Sequence, residues 1–399
     1  MKPRIFIAIH YLELGGAEIS LIGLLNAIDT SRYDVDLFVY SHRGELMKMV
    51  PSGIRLLPEI KEYAQIEKPI KEVLKQGGWK IALARLWAKY QYKQYVKHNH
   101  PKEGSAIFQY VFNAVTPLLP DLYKYGEYDL AISFLTPHNI VAEKVHAKKK
   151  IAWIHTDYTR INVDVNKELL VWRKFDEIVS ISQDVTKTFL QIFPSLSDKI
   201  IEINNILSSL LVRKRAEEFP VIFSKDVSRV NLLSVGRYTF AKNYDNVPDI
   251  CKRIRETGCN VYWYIIGYGG DEALIRSKIK EAGMEEYVIL LGKKENPYPY
   301  MKACDMYVQP SRFEGNSVTV REAQMLCKPV VVTDYPTAGS QIQQGIDGVI
   351  VPLDNAKCVQ GIVEVIQNKD LQSKLMAYLQ THDYGNEREV EKVYQLIKW

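Results

Sequence analysis

The sequence predicts an α/β protein made of two Rossmann-like domains, each a doubly wound parallel sheet, that face a central cleft. Its 399 residues exceed what one hydrophobic core ordinarily covers, which indicates about two domains. Short β-branched runs alternate with helical segments along the whole chain, as in open parallel sheets covered by helices on both faces. This strand rhythm is interrupted once, between Asn204 and Arg229.

Short continuous apolar runs predict the strands, because a strand buried on both faces needs no polar alternation. In the first half these runs are Ile5–Ile9, Val35–Tyr40, Leu130–Phe134, Lys150–Ile154, Glu177–Ile181 and Lys199–Ile203. In the second half they are Val230–Val235, Val261–Ile266, Val288–Leu291, Met306–Gln309, Pro329–Val332 and Gly348–Val351. A helix over Ala17–Ile28 is predicted to pack behind the first strand.

The interruption sets the expected domain boundaries. We predict one domain over residues 1–208, a second over residues 209–385, and a C-terminal helix over residues 386–399 that crosses back to the first domain. Open α/β sheets bind ligands beyond the carboxyl ends of their strands. The expected site is therefore the cleft, on the loops that follow the strands.

Composition limits the class of protein. Hydrophobic residues make up 47% and charged residues 25% of the chain, which is typical of a globular protein. The five cysteines contain no C-x-x-C pair, so we expect reduced thiols in a cytosolic protein rather than a disulfide framework or a zinc site. No segment approaches the ~20 apolar residues of a transmembrane helix, and the first apolar run is too short for a signal peptide. We therefore expect a soluble, cytoplasmic protein.

Two glutamates, Glu314 and Glu322, follow a predicted strand. Asn316 or Ser317 is a suitable N-cap for a helix that begins near Val318. Such a helix N-terminus presents backbone N–H groups that favour a phosphate, and a carboxylate inside the helix can accept hydrogen bonds from a ribose. The spacing alone fits two surface acids equally well.

The surroundings of these glutamates resemble a known family. The strand, Glu314 with the glycine after it, the capped helix and then Cys327-Lys-Pro-Val-Val-Val-Thr-Asp334 resemble the nucleotide-sugar site of family four retaining glycosyltransferases, the glycosyl transferases group 1 with the GT-B fold. The resemblance implies that Glu314 lies near the transferred sugar and that Glu322 binds the ribose. It also implies three substrate-binding positions at the start of the helix: Asn316, Ser317 and Val318. The family more often has an aromatic or proline-containing stretch there, and this difference bears on the preferred sugar.

Two cations, Arg237 and Lys242, follow the predicted strand Val230–Val235 on one loop. Two positive charges at the carboxyl end of a strand suit a diphosphate, although loop cations are also commonly just solvated. The family carries an Arg and a Lys on this loop. The resemblance implies that both bind the leaving diphosphate and, without a metal ion, stabilise the negative charge that develops there.

Three further positions are assigned through the same resemblance. Gly16, in the loop after the first strand, matches the glycine-rich first loop of the family. His155 matches a histidine that lies against the donor sugar, and we prefer it over the other histidines. Lys294 matches the loop that binds the base. The run Gly267–Gly270 fits a turn better than a complete G-x-G-x-x-G motif.

The sequence Asp34-Val-Asp36 spells the D-x-D pattern of metal-dependent transferases. It alternates with apolar residues and therefore fits the start of a strand that has no metal role. We expect no metal ion and no cofactor, with the nucleotide sugar as co-substrate.

Residues 71–98 are rich in lysine, arginine, tryptophan and tyrosine. From Arg85 onward the cations recur every fourth residue along one helical stripe. An adjoining apolar stripe comprises Trp79, Leu83, Leu86, Trp87 and Tyr90. Two interpretations remain open: contact with an anionic membrane surface, or aromatic side chains packed on the domain core with the lysines in water. Nucleic-acid binding is not expected, because no nucleic-acid motif accompanies the patch.

The resemblance as a whole implies retaining, metal-independent transfer of a sugar from a nucleoside-diphosphate donor, with UDP favoured, to an acceptor hydroxyl. The first domain would bind a carbohydrate or lipid-linked acceptor and the second the nucleotide sugar, in polysaccharide or glycolipid assembly at the inner face of the cell membrane. Two other classes remain open. One is a nucleotide-sugar binder without transferase activity, and the other is a GT-B enzyme of different chemistry, such as an epimerase or a phosphorylase.

Overall fold

The computed structural model describes residues 2–13, 15–101, 104–159, 161–224, 226, 228–314 and 317–397. Within these residues the chain forms two compact units. One unit runs to Leu207 and resumes at Asn386, and the other comprises Ser208–Gly385. Each unit is built on a parallel β-sheet with helical connections, so the predicted α/β class is confirmed.

The first unit has a seven-stranded sheet. Its strands are β1 (Arg4–Ile9), β2 (Asp34–Val39), β3 (Arg55–Leu56), β4 (Tyr128–Ser133), β5 (Ala147–Ile154), β6 (Glu177–Ser180) and β7 (Ile200–Glu202). Its helices up to the unit boundary are α1 (Gly16–Ala27), α2 (Lys61–Ala64), α3 (Ile70–Lys75), α4 (Trp79–Asn99), α5 (Ala106–Val115), α6 (Asn139–Lys144), α7 (Val165–Trp172) and α8 (Gln183–Ile192). The strand order is β3-β2-β1-β4-β5-β6-β7, so the direction of winding reverses between β1 and β4.

The second unit has a six-stranded sheet. Its strands are β8 (Val230–Val235), β9 (Val261–Ile266), β10 (Val288–Gly292), β11 (Met306–Gln309), β12 (Val330–Thr333) and β13 (Val349–Val351). Its helices are α9 (Ser209–Ala216), α10 (Val247–Glu256), α11 (Glu272–Ala282), α12 (Tyr298–Ala303), α13 (Val318–Met325), α14 (Ala338–Gln341), α15 (Asn355–Gln367) and α16 (Lys369–Thr381). The order β10-β9-β8-β11-β12-β13 is that of a Rossmann sheet, with its switch point between β8 and β11.

The predicted strands are found close to where the apolar runs placed them, and β8, β9 and β11 have the predicted ends. The reason is burial on both faces: Val330, Val331 and Val332 of β12, for example, are fully buried. The strand that the sequence reading missed is β3, which has only two residues, both of them exposed. An edge strand this short leaves no apolar run to detect.

The aspartates of the D-x-D pattern lie on β2, as predicted, and Asp36 is occupied by structural partners. Asp36 forms an ion pair with Arg55 and accepts a hydrogen bond of 2.5 Å from the hydroxyl of Tyr128. A guanidinium nitrogen of Arg4 lies 3.3 Å from the same carboxylate. These contacts join β2 to its neighbours in the first unit.

The chain returns to the first unit after Gly385. A short 3₁₀ turn at Glu387–Glu389 precedes α17 (Val390–Gln395), so the helix predicted there is shorter than expected and has two parts. Tyr394 stacks on Tyr33 with ring centroids 4.3 Å apart, and its hydroxyl oxygen accepts a hydrogen bond of 2.7 Å from the backbone N–H of Asp29.

All five cysteines are free thiols in the structure. In the described part of the chain, no helix combines the length and the apolar composition that crossing a membrane would require.

Candidate active site

Two loops come together at the switch point of the second sheet. The loop after β8 carries Arg237 and Lys242, and the loop after β11 carries Glu314. Because β8 and β11 are neighbours in the parallel sheet, their carboxyl ends lie side by side. This crevice is where open α/β sheets bind their ligands.

Glu314 stands at the centre of a polar network. Its Oε1 accepts a hydrogen bond of 2.6 Å from Lys242 Nζ, which makes an ion pair between the two loops. The same oxygen accepts hydrogen bonds from Ser311 Oγ at 2.6 Å and from Gln309 Nε2 at 3.0 Å. The side chain of Glu314 is only 10% exposed. Three donors therefore hold the carboxylate in one position before any ligand binds.

Arg312 fastens the two loops to each other. Its guanidinium makes a two-pronged ion pair with Asp245, with N–O distances of 2.9 and 2.8 Å, and donates to the carbonyl of Phe240 at 2.7 Å. Its backbone N–H donates to the carbonyl of Ala241 at 2.8 Å. These contacts fix the backbone on either side of Lys242 relative to the strand that leads to Glu314.

The predicted helix after Glu314 is confirmed as α13. Ser317 is its N-cap in backbone geometry, but its side chain makes no capping hydrogen bond, contrary to the expectation for a serine cap. Gln341 instead holds the Ser317 backbone, donating to its carbonyl at 2.6 Å and accepting from its N–H at 3.2 Å. Val318 is the first residue of the helix. Asn316, the other predicted cap and contact residue, lies outside the described residues.

Glu322 lies in the middle of α13 and is 4% exposed. Its Oε1 accepts a hydrogen bond of 2.7 Å from the hydroxyl of Tyr298. Burial raises the pKa of Glu322 to about 7, while the hydrogen bond from Tyr298 and the charge of Arg215 act in the opposite direction. Near neutral pH this carboxyl group is therefore partly protonated.

Arg237 and Lys294 are less constrained. Arg237 follows β8 and is exposed, and within the described residues its side chain has neither a hydrogen bond nor an ion pair. Lys294 follows β10, is half-buried, and places its Nζ 5.8 Å from the ring centroid of Tyr300. Both side chains can therefore reorient toward an anion.

The Gly267–Gly270 run, which the sequence predicted to be a turn, has a packing role that the sequence did not predict. A Cβ atom added to Gly267 would lie 1.9 Å from the carbonyl oxygen of Gly236, so only glycine fits. The backbone N–H of Tyr238 donates to the carbonyl of Tyr268 at 2.8 Å. This close backbone contact supports the loop that carries Arg237.

The remaining predicted residues lie in the first unit, at the carboxyl edge of its sheet. His155 follows β5, with its ring 4.6 Å from that of Phe134. Neither ring nitrogen has a hydrogen-bond partner in the described part of the chain, and both are out of contact with water. Burial lowers the pKa of His155 to about 3, so the imidazole is neutral at physiological pH. Gly16 is the first residue of α1, and a Cβ atom there would meet nothing within 4 Å.

Several residues of this arrangement were missed by the sequence reading. Gln309, Ser311 and Arg312 position Glu314, and Tyr298 supplies the hydrogen bond to Glu322. A weak signal existed, because buried polar residues at the end of an apolar strand usually have a partner. The partners of these residues are up to 72 residues away from them in sequence, and no local pattern identifies those partners.

The arrangement can bind an anion and a polyol side by side. Lys242 supplies positive charge beside Glu314, which shortly precedes the N-terminus of α13, and Arg237 lies on the same loop as Lys242. A helix N-terminus also attracts anions. Glu314 is a fixed acceptor, and Glu322 is a buried carboxyl group one helical turn further on. Among the described residues, no group of three or more His, Cys, Asp and Glu side chains has an arrangement suited to a metal ion.

Comparison with known proteins places this site within a recognised segment. Residues 216–381 match the family described as Glycosyl transferases group 1. The chain is 27% identical over 177 residues to the amylovoran biosynthesis glycosyltransferase AmsD of Erwinia amylovora, covering 44% of this chain and 49% of AmsD. It is 30% identical over 212 residues to an N-acetylgalactosaminyltransferase of Campylobacter jejuni that acts on a diphospho-undecaprenol substrate, covering 52% of this chain and 56% of that enzyme. The chain thus matches about half the length of these curated relatives.

Solved structures extend the likeness to the whole chain. TarM of S. aureus, crystallised with Fondaparinux, alpha-GlcNAc-glycerol and UDP, has a TM-score of 0.66 and 14% identity, with all of both chains covered. HepE of Anabaena, crystallised with UDP and glucose, has a TM-score of 0.61 and 14% identity over 98% of each chain. These likenesses show the fold, which is GT-B.

Proposed function

We propose that this chain is a retaining glycosyltransferase that moves a sugar from a nucleoside-diphosphate donor, with UDP-sugars favoured, to an acceptor hydroxyl without a metal ion or cofactor. The observation that carries the proposal is the Lys242–Glu314 ion pair. It joins the two loops at the switch point of the second sheet, beside the N-terminus of α13 and inside the matched segment.

In the proposed donor complex, each residue of the second unit has one task. Lys242 and Arg237 bind the diphosphate, assisted by the N-terminus of α13 around Ser317 and Val318, and Asn316 is a further proposed contact of the donor. Glu322 accepts hydrogen bonds from the ribose, and Lys294 lies at the base. Glu314 faces the transferred sugar. Cations at the leaving diphosphate take the place of a metal ion in stabilising its charge.

The proposed reaction is a front-face displacement. The bond between the anomeric carbon and the phosphate oxygen breaks, and the acceptor oxygen bonds to the same face of that carbon. The acceptor proton passes to the departing phosphate oxygen, so no side-chain nucleophile is needed. We propose that His155, as a neutral imidazole, contacts the donor sugar, and that the loop at Gly16 receives the acceptor. Exclusion of water from the site would limit hydrolysis of the donor.

The proposed biological role is polysaccharide or glycolipid assembly at the inner face of the cell membrane. Two relatives support it by their names: AmsD is assigned to amylovoran biosynthesis, and the Campylobacter jejuni enzyme acts on a diphospho-undecaprenol substrate.

The first experiment is a thermal-shift and hydrolysis screen of the full chain with UDP-, GDP- and ADP-sugars in the presence of EDTA. We expect one donor to raise the melting temperature and to be hydrolysed slowly despite EDTA. With an acceptor found for that donor, NMR of the product should show the anomeric configuration of the donor. An inverted product would contradict retention, and loss of activity in EDTA would contradict metal independence.

A matched pair of variants ties the result to the site. Arg237→Ala should weaken donor binding, because it removes an exposed cation next to the proposed diphosphate. Arg276→Ala removes an exposed cation of α11 and should leave binding unchanged. Stabilisation by a donor without hydrolysis or transfer would favour a nucleotide-sugar binder. Absence of any shift would overturn the proposed donor site.

A further inference from the structure

Helix α4 has two chemically different faces. One face carries the apolar stripe, consisting of Trp79, Leu83, Leu86, Trp87 and Tyr90. These five side chains are between 49% and 57% exposed. Single exposed apolar residues are ordinary, but five in one line on a helix are a feature that needs a partner.

The opposite face of α4 already has its partners. Ile81 and Ala82 belong to the core of the first unit. Arg85 points inward as well, donating to the carbonyls of Gln65 at 3.1 Å and Lys68 at 2.5 Å. Tyr95 packs on Tyr110 of α5 with ring centroids 5.8 Å apart. The interpretation in which the apolar stripe faces the core is therefore wrong, because other residues fill that role.

The cations of α4 flank the apolar stripe. They form the lysine flank, which consists of Lys80, Lys89, Lys93 and Lys97. All four are exposed, and none of them forms an ion pair with a described residue. The 21-residue helix contains no aspartate or glutamate. Arg85 was predicted to share a stripe with the last three of these lysines, but its inward hydrogen bonds remove it from this surface.

We propose that the apolar stripe and the lysine flank together bind the surface of an anionic lipid bilayer, with α4 lying parallel to the membrane plane. Trp87 and Tyr90 are stacked on each other at 5.5 Å while remaining exposed. Aromatic side chains of this kind favour the boundary between headgroups and acyl chains. The lysine flank complements the negative charge of the lipid headgroups.

A lipid surface fits these observations better than a protein partner. The apolar stripe extends over about 16 Å of helix and presents flat rings and leucines. Four cations without acidic residues match a continuous negative surface, whereas a protein groove ordinarily offers charges of both signs. The inference uses only the first unit and does not depend on the transfer reaction.

The test is flotation of the full chain with vesicles of pure phosphatidylcholine and of phosphatidylcholine mixed with phosphatidylglycerol. We expect binding to the mixed vesicles, weakened by added salt, and little binding to the neutral ones. The double variant Lys89→Gln/Lys93→Gln should bind more weakly by about fivefold for each lysine removed. The double variant Trp87→Ser/Tyr90→Ser should lose binding by about tenfold or more.

Each variant has a matched control on another element of the same unit. Lys124→Gln/Lys187→Gln removes two exposed lysines outside α4, and Leu170→Ser removes an apolar side chain that is 64% exposed on α7. Both controls should bind the mixed vesicles as well as the unchanged chain does. All substituted positions are exposed, so circular dichroism should show the same melting transition in every variant.

Three outcomes would overturn the proposal. The unchanged chain could fail to bind the mixed vesicles, or both α4 variants could bind as well as their controls. Sedimentation velocity could instead show that Trp87→Ser/Tyr90→Ser breaks up an oligomer without altering vesicle binding, which would make α4 an interface between copies of the chain. If the lysine variant and the aromatic variant both bind the mixed vesicles more weakly than their controls, by the expected factors, the lysine flank and the apolar stripe are both established as parts of the membrane-binding surface.

Discussion

Glu314 and Glu322 belong to one short segment, yet their surroundings are opposite. Glu314 receives three hydrogen bonds on a single oxygen, one of them from the ammonium group of Lys242. Glu322 is more deeply buried and, within the described residues, receives one hydrogen bond, from the neutral hydroxyl of Tyr298. Burial alone therefore does not determine how a carboxyl group behaves. Three donors hold the carboxylate of Glu314 in place, whereas burial with a single donor raises the pKa of Glu322 to about 7.

The difference separates two roles in the proposed reaction. A carboxylate held beside a cation, as Glu314 is beside Lys242, suits the region where charge moves during sugar transfer, because its geometry does not need to reorganise. A buried carboxyl group with a single partner has unused acceptor capacity, which suits the hydroxyls of a ribose. Four substitutions test this contrast, in order of decreasing expected effect.

Replacing Glu314 should have the largest effect. In Glu314→Gln the ion pair with Lys242 is lost. The amide group also replaces the carboxylate that accepted hydrogen bonds from the two donors Gln309 and Ser311. We expect transferase activity to fall by about 100- to 1,000-fold, the range for losing a preorganised electrostatic contact. The measurement is the initial rate at saturating donor. Glu281→Gln on α11 is the control and should keep full activity, and equal losses in both variants would show that the network has no special role.

Replacing Glu322 should change the pH dependence of stability. The pKa of Glu322 is raised from 4.5 to about 7 in the folded chain. The folded state therefore holds this proton more tightly than the unfolded state, and the contribution of Glu322 to the free energy of unfolding falls as pH rises from about 4.5 to 7. The difference corresponds to about 3 kcal/mol above pH 7. Glu322→Gln should thus melt at a higher temperature than the unchanged chain at pH 8, with little difference at pH 4.5.

Calorimetry at several pH values measures this difference. Glu168→Gln is a useful comparison, because burial also raises the pKa of Glu168 to about 7 in the first unit. His138 and His155 have lowered pKa values and produce the opposite slope below pH 6.5. Only the difference in melting temperature between the variant and the unchanged chain isolates the contribution of Glu322 to the pH dependence of stability. A difference independent of pH would contradict the raised pKa.

Removing the positive charge of Lys242 should have an intermediate effect on stability. Lys242→Met leaves the carboxylate of Glu314 nearly buried with only neutral donors, and we expect a loss of about 2 kcal/mol. In the double variant Lys242→Met/Glu314→Gln most of this loss should be regained, because no unpaired charge remains. A double-mutant cycle from urea unfolding measures the coupling. Additive effects of the two substitutions would mean that the ion pair contributes nothing.

Removing the hydroxyl of Tyr298 should have the smallest effect. This hydrogen bond lowers the pKa of Glu322, so Tyr298→Phe should raise that pKa further. We expect a loss of about 1 kcal/mol at pH 8, where the carboxylate needs its donor, and a smaller loss at pH 5. The same calorimetric series provides the measurement. A loss that is equal at both pH values would indicate a packing effect of the ring alone.

Much of the architecture could be predicted from the sequence, because strands that are buried on both faces have continuous apolar sequences. The start of α13 at Val318 and the position of Glu322 within it also followed from local pattern. The partners of Glu314 did not. Lys242 and Arg312 reach their contacts across the switch point of the sheet, and only the strand order brings those loops together.

The orientation of α4 was the other question that the sequence left open. Its apolar residues recur around most of the helix, so periodicity did not identify the buried face. The structure resolves this through Arg85 and Tyr95, whose polar ends reach backbone carbonyls of the first unit. Long side chains with a charged or hydroxyl end fit either water or a buried acceptor, which is why their spacing alone is ambiguous.

The return of the chain to the first unit has a consequence for the order of assembly. All six strands of the second unit lie between Val230 and Val351, so that unit can complete its sheet from a continuous stretch of chain. The first unit needs Tyr394 against Tyr33, a partner that leaves the ribosome long after β1–β7. The half of the protein that is synthesised first is therefore the half that is finished last.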